Sequence, residues 1–119
     1  MMKTVFVVDD SDTNLLTVEE SLEDHYRVMT IPSAAKMFTF LEKIIPDMIL
    51  LDIEMPEMNG FEALERLKAN PLHTNIPVIF LTGYIDDEIK ARSRELGAAD
   101  IITKPFAASV LLERIAAYL

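Results

Sequence analysis

Thr4-Val5-Phe6-Val7-Val8-Asp9-Asp10 is a run of five apolar or β-branched residues that stops abruptly at two acids. Unbroken apolar character, rather than alternation with polar residues, is the pattern of a strand covered on both faces. A buried strand is therefore predicted over residues 4–8, with the acids in the loop that leaves it. Beyond that loop Leu15, Val18 and Leu22 recur at helical spacing, Ser11 or Asp12 can serve as N-cap, and Glu19, Glu20 and Glu23 supply a polar side.

The same unit repeats along the chain. Tyr26 to Ile31 reads as a second strand, and Ser33 caps a helix carrying Ala34, Met37, Phe38, Leu41 and Ile45 until Pro46 ends it. Asp47 to Leu51 is a third apolar run, ending at Asp52. After a loop to Gly60, a helix follows through Phe61, Leu64 and Leu67. Ile76 to Thr82 is the fourth strand, with Pro77 at its beginning, where a missing amide proton does little harm. A helix from about residue 86 to 96 closes at Gly97. A short strand over residues 99–103 precedes a last helix over 107–119 carrying Leu111, Leu112, Ile115 and Leu119. Five strands alternating with five helices require a parallel sheet covered on both faces by right-handed crossovers. The expected architecture is a flavodoxin-like, doubly wound α/β fold with strand order 2-1-3-4-5, forming one domain over residues 1–119.

Bulk composition narrows the function. At 119 residues, half of them hydrophobic, the chain can bury a core without disulfides, and it contains no cysteine for thiolate chemistry. A formal charge of −9 argues against direct contact with nucleic acid, which needs clustered Lys and Arg. No stretch approaches a membrane span and no secretory leader is visible, so a cytoplasmic location is expected. The acidic surplus fits either a solvated surface or carboxylates gathered around a cation.

Position separates these two. In open parallel sheets, function gathers at the carboxyl ends of the strands, where the strand order reverses. Asp9-Asp10, Asp52, Thr82-Gly83 and Lys104-Pro105 all follow strands and fall at that one edge. Singly, an acidic pair is commonly a solvated turn and a lone Lys a surface charge. Together, three carboxylates between neighbouring strands repel unless a cation offsets them, and hard oxygen ligands suit Mg²⁺. Asp52, lying between the other acids and the later strand ends, is the candidate nucleophile toward phosphorus. Lys104 and Thr82 can supply a charge and a hydroxyl to phosphoryl oxygens.

These segments resemble the response-regulator receiver family over the whole chain. The resemblance rests on Val7-Val8-Asp9-Asp10-Ser11, on Leu50-Leu51-Asp52-Ile53-Glu54-Met55-Pro56-Glu57-Met58-Asn59-Gly60, on Leu81-Thr82-Gly83, and on Lys104-Pro105-Phe106. It implies that Asp52 is the phosphoacceptor, that Asp10, Asp52 and the backbone carbonyl of Glu54 bind Mg²⁺ directly, and that Asp9 binds it through water. Thr82 corresponds to the switch hydroxyl, Gly83 to the small residue that keeps access open, Lys104 to the phosphoryl-binding lysine, and Pro105 to a proline commonly preceded by a cis bond. Where relatives often carry an aromatic switch residue, this chain has Ile101. Either an Ile packs in one position and leaves Thr82 and the following loop to carry the change, or coupling to the distal surface is weakened. Glu54 and Tyr84 should border the path of attacking water.

The resemblance implies a phosphoacceptor switch that receives its phosphoryl group from a sensor histidine kinase or a histidine phosphotransfer protein. The output would be a downstream protein target or a covalently attached output domain, and a phosphorylation-dependent homodimer is a further option. The fourth helix and fifth strand, with Ile89, Lys90, Ile101 and Ile102, would form the docking face. Such a domain promotes only its own phosphorylation and dephosphorylation and is not a turnover enzyme. The alternative is a receiver-like docking module that works without phosphorylation. A small aspartyl phosphatase would need a general acid and a substrate cap, and neither is evident. His25 and His73 are expected to be exposed and to have no role, and the seven methionines to serve as filler.

Overall fold

The computed structural model describes residues 2–119. Five strands, β1 (Thr4–Val8), β2 (Arg27–Ile31), β3 (Met48–Asp52), β4 (Val78–Thr82) and β5 (Asp100–Thr103), form one parallel sheet in the order β2-β1-β3-β4-β5. Between and after them run α1 (Asp12–Leu22), α2 (Ala34–Leu41), α3 (Gly60–Ala69), α4 (Asp87–Leu96) and α5 (Ala108–Ala116). The expected flavodoxin-like order is the observed one.

Residue parity along the strands builds two apolar layers, because successive side chains leave a strand on opposite faces. Phe6, Val8, Ile49, Leu51, Val78 and Phe80 pack on the side of α2 and α3 with Met37, Leu64 and Leu67. Val5, Val7, Met48, Leu50, Ile79 and Leu81 face Leu15, Val18, Leu22, Leu111 and Ile115 of α1 and α5. Burying a Leu or Phe side chain contributes about 1.5–3 kcal/mol, so these layers are the main source of stability.

The helix ends follow their local chemistry. Ser11, Ser33, Asn59 and Asp86 accept backbone amides from the first turns of α1, α2, α3 and α4, and Gly97 closes α4 in the left-handed region at φ 87°. The last helix stops at Ala116, short of Leu119.

Three expectations are corrected. Asp47 does not begin β3: its carboxylate accepts the Thr4 amide at 2.8 Å, tying the start of β1 to the approach to β3. His73 is buried, not exposed, because the turn after α3 folds inward. In that turn the His73 amide donates to Asn70 and the Ile76 amide to His73, and the ring Nδ1 has no partner among the described residues. Ile102 is also inside, against the α1 and α5 layer, whereas Ile101 and Ile89 lie half-buried on the other side. No helix among the described residues is long and apolar enough to cross a membrane.

Candidate functional site

Strand parity also decides which polar residues meet. Continuing the alternation past the apolar runs puts Asp9, Asp52 and Lys104 on the α1 and α5 side of the sheet, and Thr82 on the other side. The ladder persists far enough to make this rigid. Asp9 donates its amide to Ile31 at 3.1 Å, and Lys104 donates its amide to Thr82 at 2.7 Å.

Asp9, Asp10 and Asp52 each place a carboxylate oxygen within 4.8 Å of the others. Asp9 and Asp52 are buried, while Asp10 is exposed. The Lys104 ammonium donates to Asp9 at 2.9 Å and stands 3.4 Å from Asp52. The other oxygen of Asp9 accepts the Ser11 amide at 2.9 Å, so both oxygens of Asp9 are engaged at the entrance to α1.

Of the two buried carboxylates, Asp52 is the one farther from the ammonium. Burial, then the negative charge of Asp9, push its pKa from 3.8 to about 6, against the opposing pull of Lys104 and the Glu54 backbone amide. Lys104 is held above the ordinary lysine range. Burial disfavours its charge, but the hydrogen bond to Asp9 and the charges of Asp52 and Asp9 outweigh that. One ammonium among three carboxylates leaves an anionic cluster of hard oxygen donors. That donor set fits a divalent, oxygen-seeking cation such as Mg²⁺.

The cluster opens into a cavity of about 550 Å³ whose wall includes Glu54, Gly83, Pro105 and Phe106. Asn14 and Thr17 of α1 also line it and escaped the sequence reading. Their signal was present as spacing, since Asn14, Thr17 and Val18 fall on one helical face beginning three residues after the Ser11 cap. A methyl group added at Gly83 would meet nothing within 4 Å, so packing does not require glycine there.

Thr82 stands apart from the cluster. Its buried hydroxyl donates to the Tyr84 carbonyl at 3.0 Å and accepts the Tyr84 amide at 3.3 Å. The Lys104–Pro105 bond is cis, as the resemblance implied. Ile101 packs half-buried against the layer containing Phe80.

Residues 5–116 match the sequence profile of the response regulator receiver domain. The chain belongs to that family. Receiver domains are the phosphoacceptor units of two-component signalling. PilH of Pseudomonas aeruginosa is 33% identical over 119 residues, covering 99% of this receiver and 98% of PilH. Response regulator PleD of Caulobacter vibrioides is 33% identical over 116 residues, covering 97% of this receiver. This receiver spans only 26% of PleD's length, so PleD extends well beyond the shared region. Among solved structures, the chemotaxis protein CheY4 of Vibrio cholerae superimposes with a TM-score of 0.95 at 29% identity, over 100% of both chains.

Proposed function

We propose that Asp52 is the phosphoacceptor of this receiver, that residues 1–119 act as a single domain, and that Mg²⁺ is its cofactor. In this reading Asp10, Asp52 and the backbone carbonyl of Glu54 hold the ion directly. Asp9, whose two oxygens already accept Ser11 and Lys104, holds it through water. Bound there, Mg²⁺ supplies charge that offsets the carboxylates and the phosphoryl oxygens.

The observation that carries the proposal is the bridging ammonium of Lys104, 2.9 Å from Asp9 and 3.4 Å from a buried Asp52 at the mouth of the cavity. A phosphoryl group arriving at Asp52 would meet positive charge already in place and needing little reorganisation. A carboxylate oxygen of Asp52 attacks phosphorus as the phosphorus–nitrogen bond to the donor's phosphohistidine breaks, leaving an acyl phosphate on Asp52. Attack of water on phosphorus later breaks the phosphorus–oxygen bond to Asp52, releasing inorganic phosphate and restoring the carboxylate. Thr82 contributes the second donor. To reach a phosphoryl oxygen its hydroxyl must leave Tyr84, and that exchange of partners links the site to the loop after β4. Gly83 leaves the approach open, and Glu54 and the exposed Tyr84 border the path of water.

The domain promotes its own phosphorylation and dephosphorylation and is not a turnover enzyme. Its donor is a sensor histidine kinase or histidine phosphotransfer protein in the cytoplasm, and its output passes to a protein target or an attached output domain. The α4 and β5 side, with Ile89, Lys90 and Ile101, is the docking or dimer face, and Ile102 drops out because it is internal.

Intact mass after incubation with acetyl phosphate tests the proposal. A single Mg²⁺-dependent phosphoryl adduct, absent from Asp52→Asn, is expected. No adduct, together with no binding of beryllofluoride, would refute it and leave a docking module that works without phosphorylation.

A further inference from the structure

The loop between β3 and α3 is tied to the end of β3 more tightly than a connection needs to be. Gly60, the first residue of α3, lies so close to the strand end that a Cβ built on it would sit 2.5 Å from the Asp52 carbonyl oxygen and 2.9 Å from the Ile53 Cα. Its amide donates to the Ile53 carbonyl at 2.9 Å. Both opposing groups are backbone, so neither can rotate away as a side chain would.

Two local devices hold Gly60 at that point. Asn59 and Glu62 form a reciprocal capping box, the Glu62 amide donating to Asn59 at 2.9 Å and the Asn59 amide to Glu62 at 3.2 Å. Immediately before it, the Met58 amide donates to the Pro56 carbonyl at 2.8 Å across Glu57, whose φ of 67° marks a γ-turn in the left-handed region. Ile53 and Met55 anchor the inner side of the loop in the core. Such a positive φ on a residue with a side chain is costly, and it persists here because the bonds on both sides determine it.

From this geometry we infer that the start of α3 is a clamp that sets the peptide links from Asp52 to Glu54, and that Gly60 is a positioning residue for the metal site. The inference rests on the proposed role of the Glu54 carbonyl as a Mg²⁺ ligand. A side chain at position 60 must push α3 back or turn the peptides after Asp52. Either movement pulls on the Ile53 carbonyl and shifts the backbone that presents Glu54. The effect falls on ion affinity because an oxygen ligand to Mg²⁺ is held to near-ideal octahedral geometry at short distance.

Calorimetric titration of Mg²⁺ into metal-stripped protein tests this, using wild type, Gly60→Ala, Asn59→Ala and Asp10→Asn. Ile115→Val on α5 serves as a control for general loss of stability, monitored for every variant by urea denaturation. Gly60→Ala is expected to raise the Mg²⁺ Kd by about tenfold or more, the usual reach of groups that orient a ligand. Asn59→Ala should shift it in the same direction by less, and Ile115→Val should leave it unchanged. Wild-type affinity in folded Gly60→Ala would overturn the clamp while leaving the metal site intact, provided Asp10→Asn binds weakly. If Gly60→Ala does not fold, wild-type affinity in Asn59→Ala has the same force. An equal loss in Ile115→Val would also overturn the clamp, and no saturable binding by wild type would overturn both readings.

Discussion

Asp52→Asn should make this protein more stable at neutral pH when metal is absent, although it removes the proposed phosphoacceptor. Folding carries the Asp52 carboxyl from an ordinary pKa of 3.8 to about 6, chiefly through burial and the adjacent Asp9. The folded state therefore binds the Asp52 proton more tightly than the unfolded chain does. Its contribution is fully present below pH 3.8 and is lost as the pH rises through 6. A shift of this size corresponds to roughly 3 kcal/mol at pH 7.5. An amide cannot ionise, so Asn escapes that cost, though its NH₂ group needs an acceptor and an imperfect one would return about 1 kcal/mol. The net expectation is a gain of about 2 kcal/mol, or several degrees in Tm. Urea denaturation of both proteins in EDTA, at constant ionic strength from pH 4 to 7.5, measures it. The difference between them should be small at pH 4, grow through pH 5 and 6, and level off above pH 7. A variant no more stable than wild type at pH 7.5, or a difference that stays flat with pH, would refute the reasoning. Saturating Mg²⁺ should then narrow the gap, because the wild-type cluster with its extra carboxylate binds the ion more tightly.

Other consequences can be checked on the same material. Asp10→Asn should reduce the rise in Tm that Mg²⁺ gives the wild type, as read in a thermal melt with and without the ion. Thr82→Ala removes both hydroxyl bonds to the Tyr84 backbone and should cost about 1 kcal/mol, with faster hydrogen exchange at the Tyr84 amide. Gly97→Ala forces a side chain into φ 87° with Lys68 Cε 3.1 Å away, and should cost about 1 kcal/mol or more in urea denaturation. Gly83→Ala should leave stability unchanged, since a Cβ there meets nothing within 4 Å, while slowing adduct formation in the mass assay.

Much of the architecture was legible in the linear chain because its causes are local. Unbroken apolar runs marked strands covered on both faces, and Ser33 and Gly97 marked helix ends by chemistry that acts within one turn, with Ser11 one of two candidates for the first cap. The alternation of strands and helices called for a parallel sheet with Asp9, Asp10, Asp52 and Lys104 at one edge, and the flavodoxin-like pattern supplied the strand order that is observed. Parity along the apolar runs already contained the separation of Thr82 from the acids, although it went unread.

Only the tertiary structure decided how the groups at that edge divide their partners. Lys104 and Asp9 are 95 residues apart, and no spacing rule indicates that the ammonium sits closer to Asp9 than to Asp52, or that burial beside Asp9 leaves Asp52 weakly acidic. The same holds for Asp47, bonded to Thr4 rather than starting β3, and for His73, turned inward by the loop after α3. It holds most clearly for Gly60, where the glycine is required by a strand end brought back against it. Periodicity and capping act along the chain and can be read from it. Charge sharing, burial and close backbone approach act through space, and they exist only once the crossovers have closed the sheet.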